Sequence, residues 1–146
     1  MNPPSVQAYS SARPAGFWSR LAAYLIDSLI VGAVFVLTAP RLLNIDLQQW
    51  LEQTTTGADA YATVLQVAYF TLTVAIFATT VGKRALGMQV LRTDGGRPGL
   101  VRALVRALGQ LLSGLFFGLG FLLIALRADK RGLHDLIAGT VVVRRR

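Results

Sequence analysis

The sequence predicts an all-α membrane protein. Its parts are two full transmembrane helices, a third glycine-rich apolar block, and a short β-like pairing of two segments at the cytoplasmic surface. Three observations carry this reading. The chain of 146 residues is 53% hydrophobic and only 15% charged, with a mean hydropathy of +0.52. Its apolar residues gather in three blocks, each near the ~20 residues needed to cross about 30 Å of hydrocarbon. The net charge of +8 flanks these blocks rather than entering them.

Residues 1–15 hold three prolines, Ser10 and Ser11, and read as a disordered tail. They lack the basic cluster and short apolar core of a signal peptide. Residues 16–146 form one membrane domain. The first helix covers 17–39, with Phe17 and Trp18 suited to the interface and Pro40 ending it. A polar outside loop covers 40–59. The second helix covers 60–81, with Tyr61, Gln66 and Tyr69 as its polar-edged residues, and Gly82-Lys83 ends it. Within the segment 82–106, residues 86–92 are strand-like and Asp94-Gly95 is a turn signal. Arg102 and Arg106, interleaved with Leu100, Leu104 and Leu108, begin an amphipathic helix at the interface. The third apolar block covers 107–126. In the tail 127–146, Thr140-Val141-Val142-Val143 is again strand-like.

Charge sets the expected topology. Residues 1–20 carry +2, 40–59 carry −2, and 82–103 and 127–146 carry +4 each. The positive-inside rule then places the N-terminus and residues 82–103 in the cytoplasm and 40–59 outside. A simple third span would put the basic tail outside and break the rule. A helical hairpin turning near Gly118-Leu119-Gly120 keeps both basic segments cytoplasmic and lets 86–92 pair with 139–144. The hairpin is the preferred reading, with a single third span as the alternative.

Composition also excludes chemistry. The chain has no cysteine, so disulfides and thiolate sites are ruled out. His134 is the only histidine, and no metal or other cofactor is expected. No basic platform interleaved with aromatics appears, so nucleic acid is not an expected partner. The expected partners are a bilayer containing anionic lipid, another membrane protein, or further copies of this chain. Gly82-Lys83 lacks the upstream glycine and following Ser/Thr of a phosphate loop. His134-Asp135 reads as a structural pair near the surface, since no nucleophile accompanies it.

Asp27 is the sharpest signal. An aspartate near a helix centre costs about 2.5–3.5 kcal/mol on insertion scales, so it is expected to face protein. Gln66, Arg102, Arg106 and Gln110 are the expected partners. Arg20 lies two turns before Asp27, too far along the axis for direct pairing, and suits a snorkelling anchor. Gly114 and Gly118 stand at the spacing of close helix packing.

Together these residues resemble the RDD family of bacterial membrane proteins, named for one arginine and two aspartates. "AGFWSRLAAYLID" supplies Arg20 and Asp27 at the family's first two positions. "TTVGKRALGMQVLRTDG" resembles its segment after the second helix. "RGLHDLIAGTVVVR" is similar to its closing segment, with Asp135 matching the second aspartate. The resemblance implies a mainly helical fold with few spans. It implies either transport, such as cation–proton exchange, or partnership with other membrane proteins. The size of the chain favours an accessory role over transport through Asp27, which would call for an oligomer. An enzyme is not expected.

Overall fold

The computed structural model of the protein describes residues 13–44, 56–115 and 119–144. Two long helices, α1 (Phe17–Leu42) and α2 (Thr56–Phe77), are followed by a short α3 (Val81–Ala85) and strand β1 (Met88–Arg92). Helices α4 (Leu100–Leu115), α5 (Leu119–Leu126) and α6 (Leu133–Ala138) and strand β2 (Thr140–Arg144) complete the chain.

Helices α1 and α2 are long and apolar enough to cross a bilayer, yet only 11% and 17% of their most apolar stretches are buried within the protein. A core helix of a soluble domain would bury such a surface. Here Leu25, Leu29, Val36 and Leu37 on α1, and Val64, Leu72 and Ile76 on α2, point outward. That is the arrangement expected when lipid is the solvent. Between the helices, Tyr24 stacks on Phe70 and Phe35 on Tyr61, and Thr38 shares a 2.8 Å hydrogen bond with the Tyr61 hydroxyl.

The helix boundaries differ from the sequence reading. Pro40 does not end α1, because the Leu43 N–H still reaches the Ala39 carbonyl at 2.9 Å and closes the last turn. The second helix begins at Thr56, inside the stretch read as loop, and ends at Phe77 rather than at Gly82. Ala78 turns the chain into the left-handed region at φ 55°, and Thr80 caps α3 by accepting from the Lys83 N–H. Most of the predicted outside loop, residues 45–55, lies outside the described residues.

The expected β pairing forms. Strands β1 and β2 run antiparallel, with Met88 opposite Arg144 and Val90 opposite Val142. Between them, Asp94-Gly95 turns the chain out of β1: the Arg92 N–H donates to the Gly96 carbonyl, and the Asp94 carboxylate accepts from the Gly96 N–H. The end of the tail read as disordered is ordered instead. The Ala15 N–H donates to the Val142 carbonyl and the Arg144 N–H to the Arg13 carbonyl, so residues 13–15 lie along the free edge of β2. Residues 1–12 lie outside the described residues. Val90, Val142, Ala15, Ala23, Val74, Met88 and Ala103 form the main core, joining the sheet to α1, α2 and α4. Burying each valine contributes about 1.5–3 kcal/mol.

The third apolar block divides into α4 and α5 on either side of residues 116–118, which lie outside the described residues with Gly118. Gly114 is on α4, but a side chain there would meet no neighbour among the described residues. Close helix contact is made elsewhere. A Cβ on Gly82 would fall 2.1 Å from the Ala23 carbonyl oxygen, and one on Gly109 would fall 3.0 Å from the His134 Cβ. Gly82 thus lets α3 lie against α1, and Gly109 lets α6 lie against α4. The sequence pattern does not announce helix α6, because six residues are too few for a periodic signal.

Candidate functional site

Two buried carboxylates organise the interior. Asp27 projects from the middle of α1 and is fully enclosed. Its Oδ1 accepts from the Tyr69 hydroxyl at 2.7 Å and from the Gly82 N–H at 2.7 Å. Its Oδ2 accepts from the Thr80 hydroxyl at 2.5 Å. The donors come from α2, from the linker after it and from α3, so one side chain fixes three elements. The expected Arg or Gln partners are not there. Gln66 donates to the Tyr24 hydroxyl at 3.2 Å, and Arg102 donates to the Ala138 carbonyl. Arg106 faces Asp135. Gln110 is buried on the inner side of α4. Hydroxyls and one backbone N–H serve Asp27 because they lie at its depth on the adjoining helix and cap.

Asp135 on α6 holds the second centre. It forms an ion pair with Arg20 and another, at 3.1 Å, with Arg106. It also accepts from the Gly132 N–H at 3.2 Å, reaching back to the start of its own helix. Burial pushes the Asp135 carboxyl up, but the Arg106 and Arg20 guanidiniums outweigh it and hold it well below the usual carboxylate range. Arg20 is not a snorkelling anchor. It is 3% exposed, and besides Asp135 it donates to the carbonyls of Ala15, Lys130 and Val142. His134 and Asp135 are both buried rather than near the surface. Burial pushes the His134 imidazole down to about 3, so it stays neutral at physiological pH.

Lys83 is a site residue that the sequence pattern does not single out. It is buried between the two centres, with its Nζ 3.4 Å from the Thr80 hydroxyl and 5.5 Å from the centre of the Phe70 ring. Burial, with Arg106 nearby, pushes its ammonium down to about 7. The signal that would have found this group is the run Thr80-Val81-Gly82-Lys83, a helix cap whose glycine permits close approach to α1. Two N–H groups of Arg106, at Nε and Nη1, have no partner among the described residues. No three His, Asp or Glu side chains converge among the described residues. A cavity of about 200 Å³ lies between α1 and α2, lined by Tyr24, Ser28, Gly32, Phe35, Gln66 and Phe70 among others, and Asp27 is not in its wall.

The arginine and the two aspartates thus stand at the two joints of the fold, and residues 14–139 match the model of the RDD family. The chain belongs to the RDD family. It is similar to two proteins of Bacillus subtilis (strain 168) described as uncharacterized, YckC and YxaI. YckC is 35% identical over 89% of this chain and 84% of its own length. YxaI is 33% identical over 90% of this chain and 97% of its own length. A third relative from the same organism, described as the uncharacterized membrane protein YteJ, is 29% identical over 88% of this chain and 80% of its own length. No solved structure matches. Family and apolar helices together make this RDD chain a membrane protein.

The two centres respond differently to substitution. Asp135→Asn leaves two buried guanidiniums facing a neutral group and is expected to cost about 3–5 kcal/mol. Arg106→Met is expected to cost far less, because Asp135 keeps Arg20 and the Gly132 N–H. Urea denaturation in mixed micelles measures both; equal losses would show that Arg106, not Arg20, holds the carboxylate.

Lys83 predicts a pH slope. An ordinary lysine keeps its proton to about 10.5, whereas folded Lys83 releases it near 7. The cost of burying the charge is therefore full below pH 7 and is relieved as pH rises towards 10.5. Stability is expected to rise over that window by up to about 1.4 kcal/mol per pH unit, and Lys83→Met to remove the rise. Matching slopes in the two proteins would contradict this.

Proposed function

We propose that this protein is a non-catalytic accessory protein of the membrane that acts by binding another membrane protein. The observation that carries the reading is how the family's charged residues are engaged. Asp27 has three donors from its own chain, and Arg20 and Asp135 hold each other along with four backbone groups. These groups close the fold and turn inward. Part of what the protein offers its surroundings is an apolar row: Leu100, Leu104, Leu108 and Leu112 stand one turn apart along the outer side of α4, and all are exposed. A row of that spacing suits the inner leaflet and a partner helix within it.

The orientation belongs to the same proposal. Arg20, both basic segments and both ends of the third block face the cytoplasm, and the block enters the leaflet and returns without crossing. Two contacts support this. Arg102 near the start of α4 reaches Ala138, and Lys130 beyond α5 accepts from Arg20. These contacts favour both ends of the block lying at the Arg20 end of α1.

One observation favours a second reading, cation–proton exchange by an oligomer. The Thr80 hydroxyl bridges Asp27 and Lys83, forming a short hydrogen-bonded series between two ionisable groups.

Asp27→Asn separates the two readings. The amide oxygen keeps the Tyr69 and Gly82 bonds, and only the Thr80 bond has to rearrange, so the variant is expected to fold. For the accessory reading, proteoliposomes of wild type should show no cation-dependent proton flux above empty vesicles. Flux in wild type that vanishes in a well-folded Asp27→Asn protein would instead establish transport. The orientation is checked separately by reporter fusions after Arg146, where a cytoplasmic signal is expected and a periplasmic one restores a third span.

A further inference from the structure

The basic segment 82–103 holds five cations, and most are engaged. Lys83 is buried beside Thr80, Arg92 pairs with Asp94, and Arg102 donates to Ala138. Arg84 and Arg97 remain, exposed and without an ion pair or side-chain hydrogen bond among the described residues. They line the same cleft. It has a volume of about 240 Å³ and is walled by Ile76, Phe77, Thr79 and Gln89 along with the two arginines. A second, apolar groove of about 160 Å³ adjoins it through the shared residues Phe77, Thr79 and Arg84, and continues along Thr73 and Val81. Ile76, Phe77 and Val81 are all more than half exposed. The pair of cavities therefore sits where the second apolar helix ends and the basic segment begins.

We propose that this cleft binds the phosphate headgroup of an anionic phospholipid, with an acyl chain of the same lipid lying in the adjoining groove. Guanidiniums suit phosphate because their planar N–H forks match its oxygens. Two of them with no internal carboxylate leave the cleft positively charged. Gln89 supplies a further polar group on the wall. The apolar groove selects a lipid over a free anion, since inorganic phosphate has nothing to place against Phe77 and Val81. The location agrees with depth: a headgroup lies at the end of a spanning helix, and its chain runs back along it. The site does not depend on whether the protein transports or only associates with a partner.

The test uses the full chain in neutral detergent, with native mass spectrometry counting bound phosphatidylglycerol and phosphatidylcholine at equal concentrations. Wild type is expected to retain one phosphatidylglycerol in preference to phosphatidylcholine. Arg84→Gln and Arg97→Gln should each weaken that binding roughly tenfold, while Arg41→Gln, at the other end of α1, should leave it unchanged. Both cleft arginines are exposed and unpaired, so the variants should elute and melt like wild type. Phe77→Ser with Val81→Ser should also weaken phosphatidylglycerol binding, and millimolar inorganic phosphate should not displace the lipid. Equal retention of the two lipids, or unaltered phosphatidylglycerol binding in a folded Arg84→Gln/Arg97→Gln protein, would overturn the proposal. Displacement by inorganic phosphate with no effect of the Phe77 and Val81 changes would also overturn it, in favour of a free-anion site.

Discussion

The ion pair between Arg20 and Asp135 is the constraint on which the rest of the structure depends. A buried guanidinium at the start of an apolar helix requires acceptors on every side. Here they are Asp135 and the carbonyls of Ala15, Lys130 and Val142. Those groups belong to the segment before α1, the connection after α5, α6 and β2. One side chain therefore gathers the pieces that no apolar span could hold. The sheet follows from this. With β2 drawn to the base of α1, β1 pairs with it on one side and residues 13–15 on the other.

Asp27 has the complementary role, deeper along the same helix. It ties the middle of α1 to the Tyr69 hydroxyl on α2 and to the cap of α3. The end of α2 therefore cannot drift from α1, and the chain leaves α2 at the angle that sends it into β1. Gly82 is the steric condition for that tie, because any side chain there would strike the Ala23 carbonyl. The polar interior carries Arg20, Arg106 and Lys83 against Asp27 and Asp135, one cation in excess. Burial comes first in lowering the affinity of Lys83 for its proton, and that imbalance adds to it through Arg106. The imbalance also accounts for the small cost expected of losing Arg106.

Much of this fold was legible in the sequence, but selectively. Blocks of about twenty apolar residues are a strong signal for spans because the bilayer sets the length. The β-branched run Thr140–Val143 and the turn at Asp94-Gly95 located the two strands and their pairing. Arg20, Asp27 and Asp135 stood out as polar groups at costly or family-matched positions. Their partners did not. Arg and Gln are the expected partners of Asp27 as polar side chains on other segments, whereas the fold brings Tyr69, Thr80 and a backbone N–H to it. The pairing of Arg20 with Asp135 joins residues 115 positions apart, and no local pattern encodes such a contact. The glycine spacing at Gly114 is frequent in membrane helices whether or not they touch, and the glycines that matter, Gly82 and Gly109, have no periodic mark.

The way β2 closes the sheet also imposes an order of assembly. Residues 13–20 are synthesised more than a hundred residues before the strand and carboxylate that satisfy them. During translation α1 and α2 can enter the bilayer with Asp27 already supplied by Tyr69, Thr80 and Gly82. Arg20 has no carboxylate until α6 emerges, and the edge of residues 13–15 has no strand to pair with until β2 does. The emergence of α6 and β2 is thus the step that closes the helical pair into the described fold. A nascent chain halted before residue 133 would keep α1 and α2 while Arg20 lacked its carboxylate. Contacts this distant in sequence form late and slowly, so closure of the sheet and of the Arg20 ion pair trails the helices they join.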